Sequence, residues 1–551
     1  MKPNYTLSKL LTALAIVAGC ILCRAQGPLE SLTANNVNAG IGIGGNLFSN
    51  TQTQLETFSH FEVPKGSDIK PYFTAALWLT ATDPGNTLRC AAQRYCGTGH
   101  DFFDGPMSPN YSPAYYVFYN RVFKVSRSQI ERHMALPQNS PVSVMDSAIL
   151  FWPAKNNPHV ATSYGVGILS PLAPFIDADG DGQYNPVHGD VPDICGDEAI
   201  FFVFNDVGGT HAESGGAALG IEVRGLAEVF LDSSFGGFNA PPVNKRAINN
   251  TVFVHYEIQN KASIDLLNVK AGMFADVDLG CFSNDLVGCD TNRNLIFAYN
   301  GTMPDYDCNG TTGYKSLDAA TGIKLLNSRY TSFNYLINGG TYNTDPSTAP
   351  QYQNYLNGQW LDTIPFTVGG NGHGGSVPTS FIYPGNPSNP NEWSEISTNQ
   401  QAGDRRMVGG SSHGSLLPGN ILTLDYAFIT SMDSTADNLT IVDTLKQDAD
   451  RIQAFYDNTL ATCRAHITTA VAEINTLAMS VYPNPASSVL MIEAPATINL
   501  VEVRDMLGRT VISQKTDTQK VLLNVSALAK GIYLLKADGS GKTAVKKIVV
   551  E

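Results

Sequence analysis

The sequence predicts a mainly β protein: a β-sandwich-rich body carrying one amphipathic helix, followed by a small C-terminal Ig-like antiparallel β-sandwich. Three observations predict it. Gly, Asn, Ser, Thr and Tyr are plentiful in a chain of 551 residues that is 43% hydrophobic and only 15% charged, a composition of folded, β-rich extracellular proteins and not of disordered ones. Short apolar or alternating runs recur, separated by turn residues. One stretch alone, Val442 to Leu460, carries apolar residues at spacings of three and four, as a helix with a single buried face requires.

Residues 1–25 read as a secretory signal peptide. Lys2 and Lys9 charge the first segment, Leu10 to Leu22 is an apolar run of 13 residues, and Cys23-Arg24-Ala25 places small residues before a cut at Gln26. The run is shorter than the roughly 20 residues of a spanning helix. Two alternatives are a retained membrane anchor and a lipoprotein-type cut in Val17-Ala18-Gly19-Cys20, which would leave Ile21 and Leu22 on the mature chain. No later stretch is long and apolar enough to span as a helix, so no transmembrane segment is expected in the mature protein. Loss of residues 1–25 removes Lys2, Lys9 and Arg24 and no acid, taking the net charge from −14 to −17. Phosphate backbones repel such a chain, so nucleic acid is not an expected partner.

Residues 26–170 form a first β-rich region. It opens on the Gly/Asn-rich segment Asn35 to Asn50, suited to an irregular or edge-forming start. Strands are expected at Phe73 to Leu79, Tyr115 to Phe118 and Ala148 to Trp152, and a short helix within Val125 to Met134 capped by Ser126 or Ser128. Residues 171–465 form a second β-rich region. Ala199 to Phe204 is continuously apolar, Thr251 to Ile258 alternates with period two, and Val269 to Phe274 and Ile421 to Ile429 have strand texture. Residues 309–400, rich in Asn and Gly with few charges, read as an insertion or a weakly patterned subdomain. The helix of Val442 to Leu460 follows, then a linker at residues 466–476.

Seven cysteines remain after residue 25, and export permits disulfides. Cys90/Cys96 and Cys281/Cys289 are close enough to close small loops, while Cys195, Cys308 and Cys463 have no obvious partner. Spacing does not settle connectivity, and the odd count leaves at least one thiol free or paired between chains.

From residue 477 the texture changes. Residues 477–551 carry nine Lys/Arg against six Asp/Glu, a balance of +3, which leaves −20 on residues 26–476. Short apolar runs follow one another, and Val501-Glu502-Val503-Arg504 alternates as a half-buried strand does. Gly508 follows Asp505-Met506-Leu507, where a tight turn is expected. The motif blocks are Tyr482-Pro483-Asn484-Pro485-Ala486, then Val503 to Arg509, then Leu528-Ala529-Lys530-Gly531-Ile532-Tyr533-Leu534, then Lys546 to Val550. In this order, behind a signal peptide, they resemble the type A C-terminal sorting domain of the type IX (Por) secretion system of Bacteroidetes. The resemblance covers about 14% of the chain. It implies passage through the periplasm, recognition of residues 477–551 by the type IX machinery, and release or attachment at the cell surface. Ala76-Leu77-Trp78-Leu79, Ala91 to Tyr95, Asp177 to Asp197 and Asp276 to Asn300 resemble uncharacterised passengers of this sorting domain, and that likeness implies no reaction.

The sharpest chemical pattern is Asp177-Ala178-Asp179-Gly180-Asp181-Gly182-Gln183. Alternate carboxylates on a glycine-turned loop suit a hard, oxygen-seeking cation, and Ca²⁺ is the expected cofactor, with Gln183 adding its main-chain carbonyl. His188 stands where a calcium loop of the EF-hand type has its bidentate acid, so the loop must borrow one, with Asp190 favoured ahead of Asp193 and Asp197. A metal-free turn is the alternative. A second acidic cluster, Asp276, Asp278, Asn284, Asp285 and Asp290, admits another cation or a solvated acidic turn closed by a small disulfide. Gly410-Ser411-Ser412-His413-Gly414 satisfies G-x-S-x-G, yet no helix can start across Leu416 to Gly419, so a glycine-rich turn is expected. His211-Ala212-Glu213 and His255-Tyr256-Glu257 read as polar strand residues. Trp78 and Trp152 are expected in the core. Trp360 and Trp393, with Tyr352 and Tyr355, either pack the loop region or present a surface to glycans, the former being favoured.

The expected function is a non-enzymatic cell-surface or extracellular protein acting in adhesion or ligand binding, with surface glycans as candidate partners. The alternative is a secreted hydrolase on polysaccharide or protein, whose catalytic groups meet only in three dimensions.

Overall fold

The computed structural model describes residues 28–49, 59–95, 99–108, 111–137, 139–231, 247–468, 479–504, 510–539 and 542–550. The signal peptide, Cys96, most of the linker and the turn at 505–509 lie outside them. The chain divides into two units, one ending at Ile467 and one starting at Thr468.

The first unit is a sandwich of two antiparallel sheets. One runs Leu29–Leu32, Asn38–Gly42, Asn46–Leu47, Tyr72–Thr82, Leu267–Val277, Arg405–Ser412 and Ser332–Leu336. The other runs Asp285–Asp290, Leu295–Asn300, Asp318–Leu325, Ile421–Asp433, Thr251–Asn260, Ile221–Val229, Glu198–Asn205 and Phe103–Asp104. Strands from residues 26–170 and 171–465 thus share both sheets, lying side by side in the first and joining at the Phe103–Asp104 edge of the second. The sheets meet through side chains of alternate strand positions: Phe428 lies 4.9 Å from Phe48 and 5.6 Å from Tyr72, edge-on to both.

The second sheet is buried on both faces, which explains its hydrophobic patterning. Along Glu198–Asn205, Ile200, Phe202 and Phe204 join the inter-sheet core. Ala199, Phe201 and Val203 turn the other way, into a separate core with Trp152, Phe118 and Val160. A strand covered on both sides reads as a continuous apolar run. Further along the sheet, Phe253, Phe297 and Ile429 pack under Val442, Leu445, Ala449 and Ile452 of the helix Ile441–Phe455. Its periodic face is fully buried, as its spacing predicted. The helix passes through a π-helical turn at Tyr456–Leu460 into Ala461–Thr468.

Two expected strands are helices. Tyr115 to Phe118 lies in Pro113–Tyr119, where the Ser112 side chain accepts the Tyr115 N–H and Pro113 occupies the first turn. Ala148 to Trp152 overlaps the short helix Ser147–Leu150. The helix Arg127–Met134 starts at Ser126, whose side chain forms a reciprocal capping box with Gln129. The Asn/Gly-rich region supplies two strands, Asp318–Leu325 and Ser332–Leu336, and the helix Ala349–Leu356, which lies against the first sheet. There Trp78 stacks on Phe274 at 5.2 Å and meets Tyr352 edge-on at 4.6 Å.

The disulfides differ from the short-loop expectation. Cys281 pairs with Cys308, not Cys289, and Cys195 pairs with Cys463 across 268 residues. Cys90 and Cys289 are buried free thiols. Sequence proximity did not decide partnership, because Cys289 sits mid-strand with its side chain inside the sandwich.

The second unit is one antiparallel sheet of Ser480–Tyr482, Val489–Arg504, Thr510–Asn524, Gly531–Gly539 and Lys542–Val550. Several short runs merge into two long strands whose pairing slips between Glu493 and Ile498. Leu490, Ile492, Ile498, Val501, Val503, Leu523 and Leu535 fill its core, which fits a small β-sandwich.

Candidate functional site

The loop of residues 177–190 is held at its neck by a two-stranded ribbon, with Val191 paired to Ile176 and Pro192 to Phe175. Gly180 and Gly182 turn it with φ of 75° and 74°, a region where a Cβ is strained. Asp177 accepts the N–H groups of Gly180 and Gly182, both at 2.7 Å. Asp190 is buried and accepts those of Ala178 at 2.8 Å and Asn185 at 2.7 Å. The outcome is convergence: one carboxylate oxygen each from Asp177, Asp179 and Asp190 lies within 4.8 Å of the others.

Asp181 falls outside that group. Asp181 instead accepts the Gln183 N–H at 2.7 Å, and both residues are exposed. Asp179 also meets His188 Nδ1 at 3.0 Å. Burial pushes the Asp190 carboxyl above its ordinary range, against the pull of its two N–H donors, and the charges of Asp177 and Asp179 add to the push. A small cation suits such a group, and its oxygen donors are of the kind Ca²⁺ takes.

The second acidic cluster separates into structural roles. Asp285 accepts the Leu279 N–H at 3.2 Å, and Asp290 pairs with Arg293 at 2.9 Å. Asp276 accepts from Tyr95 Oη at 2.6 Å and lies 3.6 Å from Arg406, which itself donates to Tyr95 Oη at 2.7 Å. Burial, then the neighbouring Asp278, raises the Asp276 carboxyl well above the usual range. Asp278 is raised to about 7 by burial and then Asp404.

The histidine–acid pairs are embedded. His211 lies in a turn, with Nδ1 2.7 Å from the Cys90 carbonyl and Nε2 2.6 Å from that of Asp206. Neither nitrogen is left for a substrate. His255 Nδ1 meets Asp425 at 2.8 Å, and Asp425 also accepts from Tyr456 Oη at 2.7 Å and from Arg464. Arg464 reaches on to Glu228 at 3.1 Å. Burial opposes the charge on both His255 and Asp425, and their partners override it, raising His255 and holding Asp425 far below the usual range. Sequence reading missed Arg464; its one signal was a lone arginine directly after Cys463 on an apolar helix.

Gly410 and Ser411 sit in the strand Arg405–Ser412, which runs into a turn at Gly414 with no helix following. Ser411 is buried and hydrogen-bonds His413 Nε2 at 2.7 Å. The aromatic quartet settles as packing. Trp360, Tyr352 and Tyr355 are buried, and Trp393 packs on Tyr383 at 5.4 Å. The alternative of a glycan platform on those rings is thereby corrected: the region's weak patterning hid its own core around Trp360, Phe366 and Tyr335.

In the second unit, Val501 and Val503 are buried while Glu502 is half-buried, and Tyr482 stands exposed before Pro483. Residues 480–551 match the family of secretion system C-terminal sorting domains. The second unit is a type IX sorting domain. This sorting domain marks the chain for export to the cell exterior or the outer-membrane surface, with the type IX machinery as its partner. Among the described residues no helix is long and apolar enough to cross a membrane.

No curated protein matches the chain. Solved structures offer distant likenesses only. A protein described as a kojibiose phosphorylase from the human microbiome aligns at 7% identity and TM-score 0.24, over 51% of this chain and 24% of its own. A polysaccharide lyase aligns at 8% identity and TM-score 0.18, over 60% and 34%. The BSP domain of a biofilm-associated protein aligns at 9% identity and TM-score 0.13, over 57% and 61%. The chain thus spans a quarter to a third of the first two.

Proposed function

We propose that the body preceding the sorting domain is a non-catalytic extracellular protein acting in adhesion or ligand binding, with Ca²⁺ stapling its 177–190 loop. The observation that carries the reading is the convergence of Asp177, Asp179 and Asp190, one of them buried. Calcium would offset two of the three negative charges and tie the loop to its ribbon neck. Asp181 would then support the turn without joining the first ring of ligands, and the Gln183 main-chain carbonyl would add a donor. His211 supports the non-catalytic part, since both its ring nitrogens are engaged by main-chain carbonyls.

A secreted hydrolase is the second reading, and one observation favours it: Asp276 and Asp278 are adjacent carboxyls with raised proton affinity, as paired-acid hydrolysis uses. Against it, Asp276 is 7% exposed and tied to Tyr95 and Arg406. Incubation of the purified chain with a panel of polysaccharides and proteins distinguishes the two. No product should accumulate above the no-enzyme rate; turnover that disappears in Asp276→Asn would establish the hydrolase.

A further inference from the structure

A cavity of about 230 Å³ opens beside the sandwich, where the end of the strand Leu88–Ala92, the strand Phe103–Asp104 and the helix Pro113–Tyr119 come together. Its volume is below the roughly 300–1,000 Å³ of drug-sized sites, so it suits one small group. Aromatic rings supply much of the wall. Tyr111 and Tyr116 lie nearly parallel with centroids 6.3 Å apart, and Phe103 meets His100 edge-on at 5.2 Å. Tyr116 is 51% exposed, placing its ring at the mouth.

Gln93 and Asp104 are among the polar residues that line it. Gln93 is 2% exposed, and its Nε2 donates to the carbonyls of Tyr95 and Gly99 at 3.3 and 3.1 Å. Those two acceptors fix which end of the amide is nitrogen, and Gln93 Oε1 is left buried without a partner. Such an atom costs free energy unless something donates to it. Among the described residues no ion pair or hydrogen bond holds the Asp104 carboxylate, and burial lifts its proton affinity to about 7. No lysine or arginine is among the described lining residues. A carboxylate and aromatic faces together ask for a cation, and the carboxylate favours one that carries N–H donors.

We propose that this cavity binds the ammonium group of a small aliphatic primary amine, with Asp104 as counter-ion and hydrogen-bond acceptor and Tyr111 and Tyr116 as aromatic walls. The proposal rests on the ligand-binding reading above and supplies the class of ligand. A quaternary ammonium would meet the rings and the charge but donate no hydrogen bond to Asp104. A neutral sugar would leave Asp104 without a counter-ion.

Calorimetric titration of the full chain with putrescine, with tetramethylammonium and with glucose tests this. Putrescine should bind saturably at one site, tetramethylammonium at least about tenfold more weakly, and glucose not at all. Asp104→Asn should weaken putrescine by at least about tenfold, and Tyr116→Ala by about three- to tenfold. Tyr116 is half-exposed, so its variant reports binding even if the Asp104 variant fails to fold. Absent putrescine binding, binding unchanged in both variants, or glucose binding in place of putrescine would each overturn the proposal. The calcium loop is read separately by its melting temperature, so either idea can fail while the other stands.

Discussion

At the scale of residues, the charged groups fall into two kinds, and pH tells them apart. Asp425 is held ionised by Arg464 and His255, so its stabilisation is present above the unfolded carboxylate range and is lost as pH falls. Asp276 and Asp278 behave oppositely. Their folded forms bind a proton more tightly than the unfolded chain, so their contribution is greatest in acid and is lost as pH rises, for Asp278 from about 4 to about 7. The expected outcome is that Asp278→Asn flattens the decline in urea midpoint across that window relative to the parent; an unchanged slope would contradict it. The DxDxDG pattern revealed the metal candidates because their spacing is local, and Asp190 was legible as a lender of a carboxylate. That Asp181 turns outward was not legible, since hydrogen bonds inside the loop decide it. Gln93 and Asp104 were invisible for a different reason: eleven positions apart, they meet only through strand and loop packing.

At the scale of elements, patterns with one buried face were readable, and one helix that depended on its cap was overlooked. The helix Ile441–Phe455 and the capping box at Ser126 follow from spacing and chemistry in a short window. Tyr115 to Phe118 looked like a strand because four apolar or aromatic residues fit either period, and Ser112-Pro113, the deciding signal, lies just before them. Strands buried on both faces kept their identity through β-branched and aromatic content, but their sheet partners came from distant segments. The C-terminal helix of the first unit shows what such distance does. It is fastened by the Cys195–Cys463 disulfide and by Arg464, which bridges Asp425 and Glu228, all three being almost wholly buried. Arg464→Met takes the guanidinium from two buried carboxylates, leaving Asp425 to His255 and Tyr456 and Glu228 to main-chain N–H groups, and the cost should be about 3–5 kcal/mol in denaturant unfolding. A loss below about 1 kcal/mol would mean that water already reaches the pair.

At the scale of the whole molecule, the chain joins an acidic two-sheet body to a basic sorting domain, and the two were separable in the sequence by charge sign and strand texture. Deleting residues 477–551 should leave the protein in the periplasm; undiminished appearance outside the cell, followed by immunoblotting of cell fractions, would contradict the sorting role. What the body does rests on its loop. A calcium ion bound only by the folded state stabilises by mass action, about 2.7 kcal/mol at a concentration one hundred times its dissociation constant. The most direct test is the melting temperature of the purified chain in millimolar calcium and in excess chelator. Calcium should raise it by several degrees, and Asp179→Ala combined with Asp190→Ala should abolish the difference. Equal melting temperatures with and without calcium in the parent chain would contradict the account.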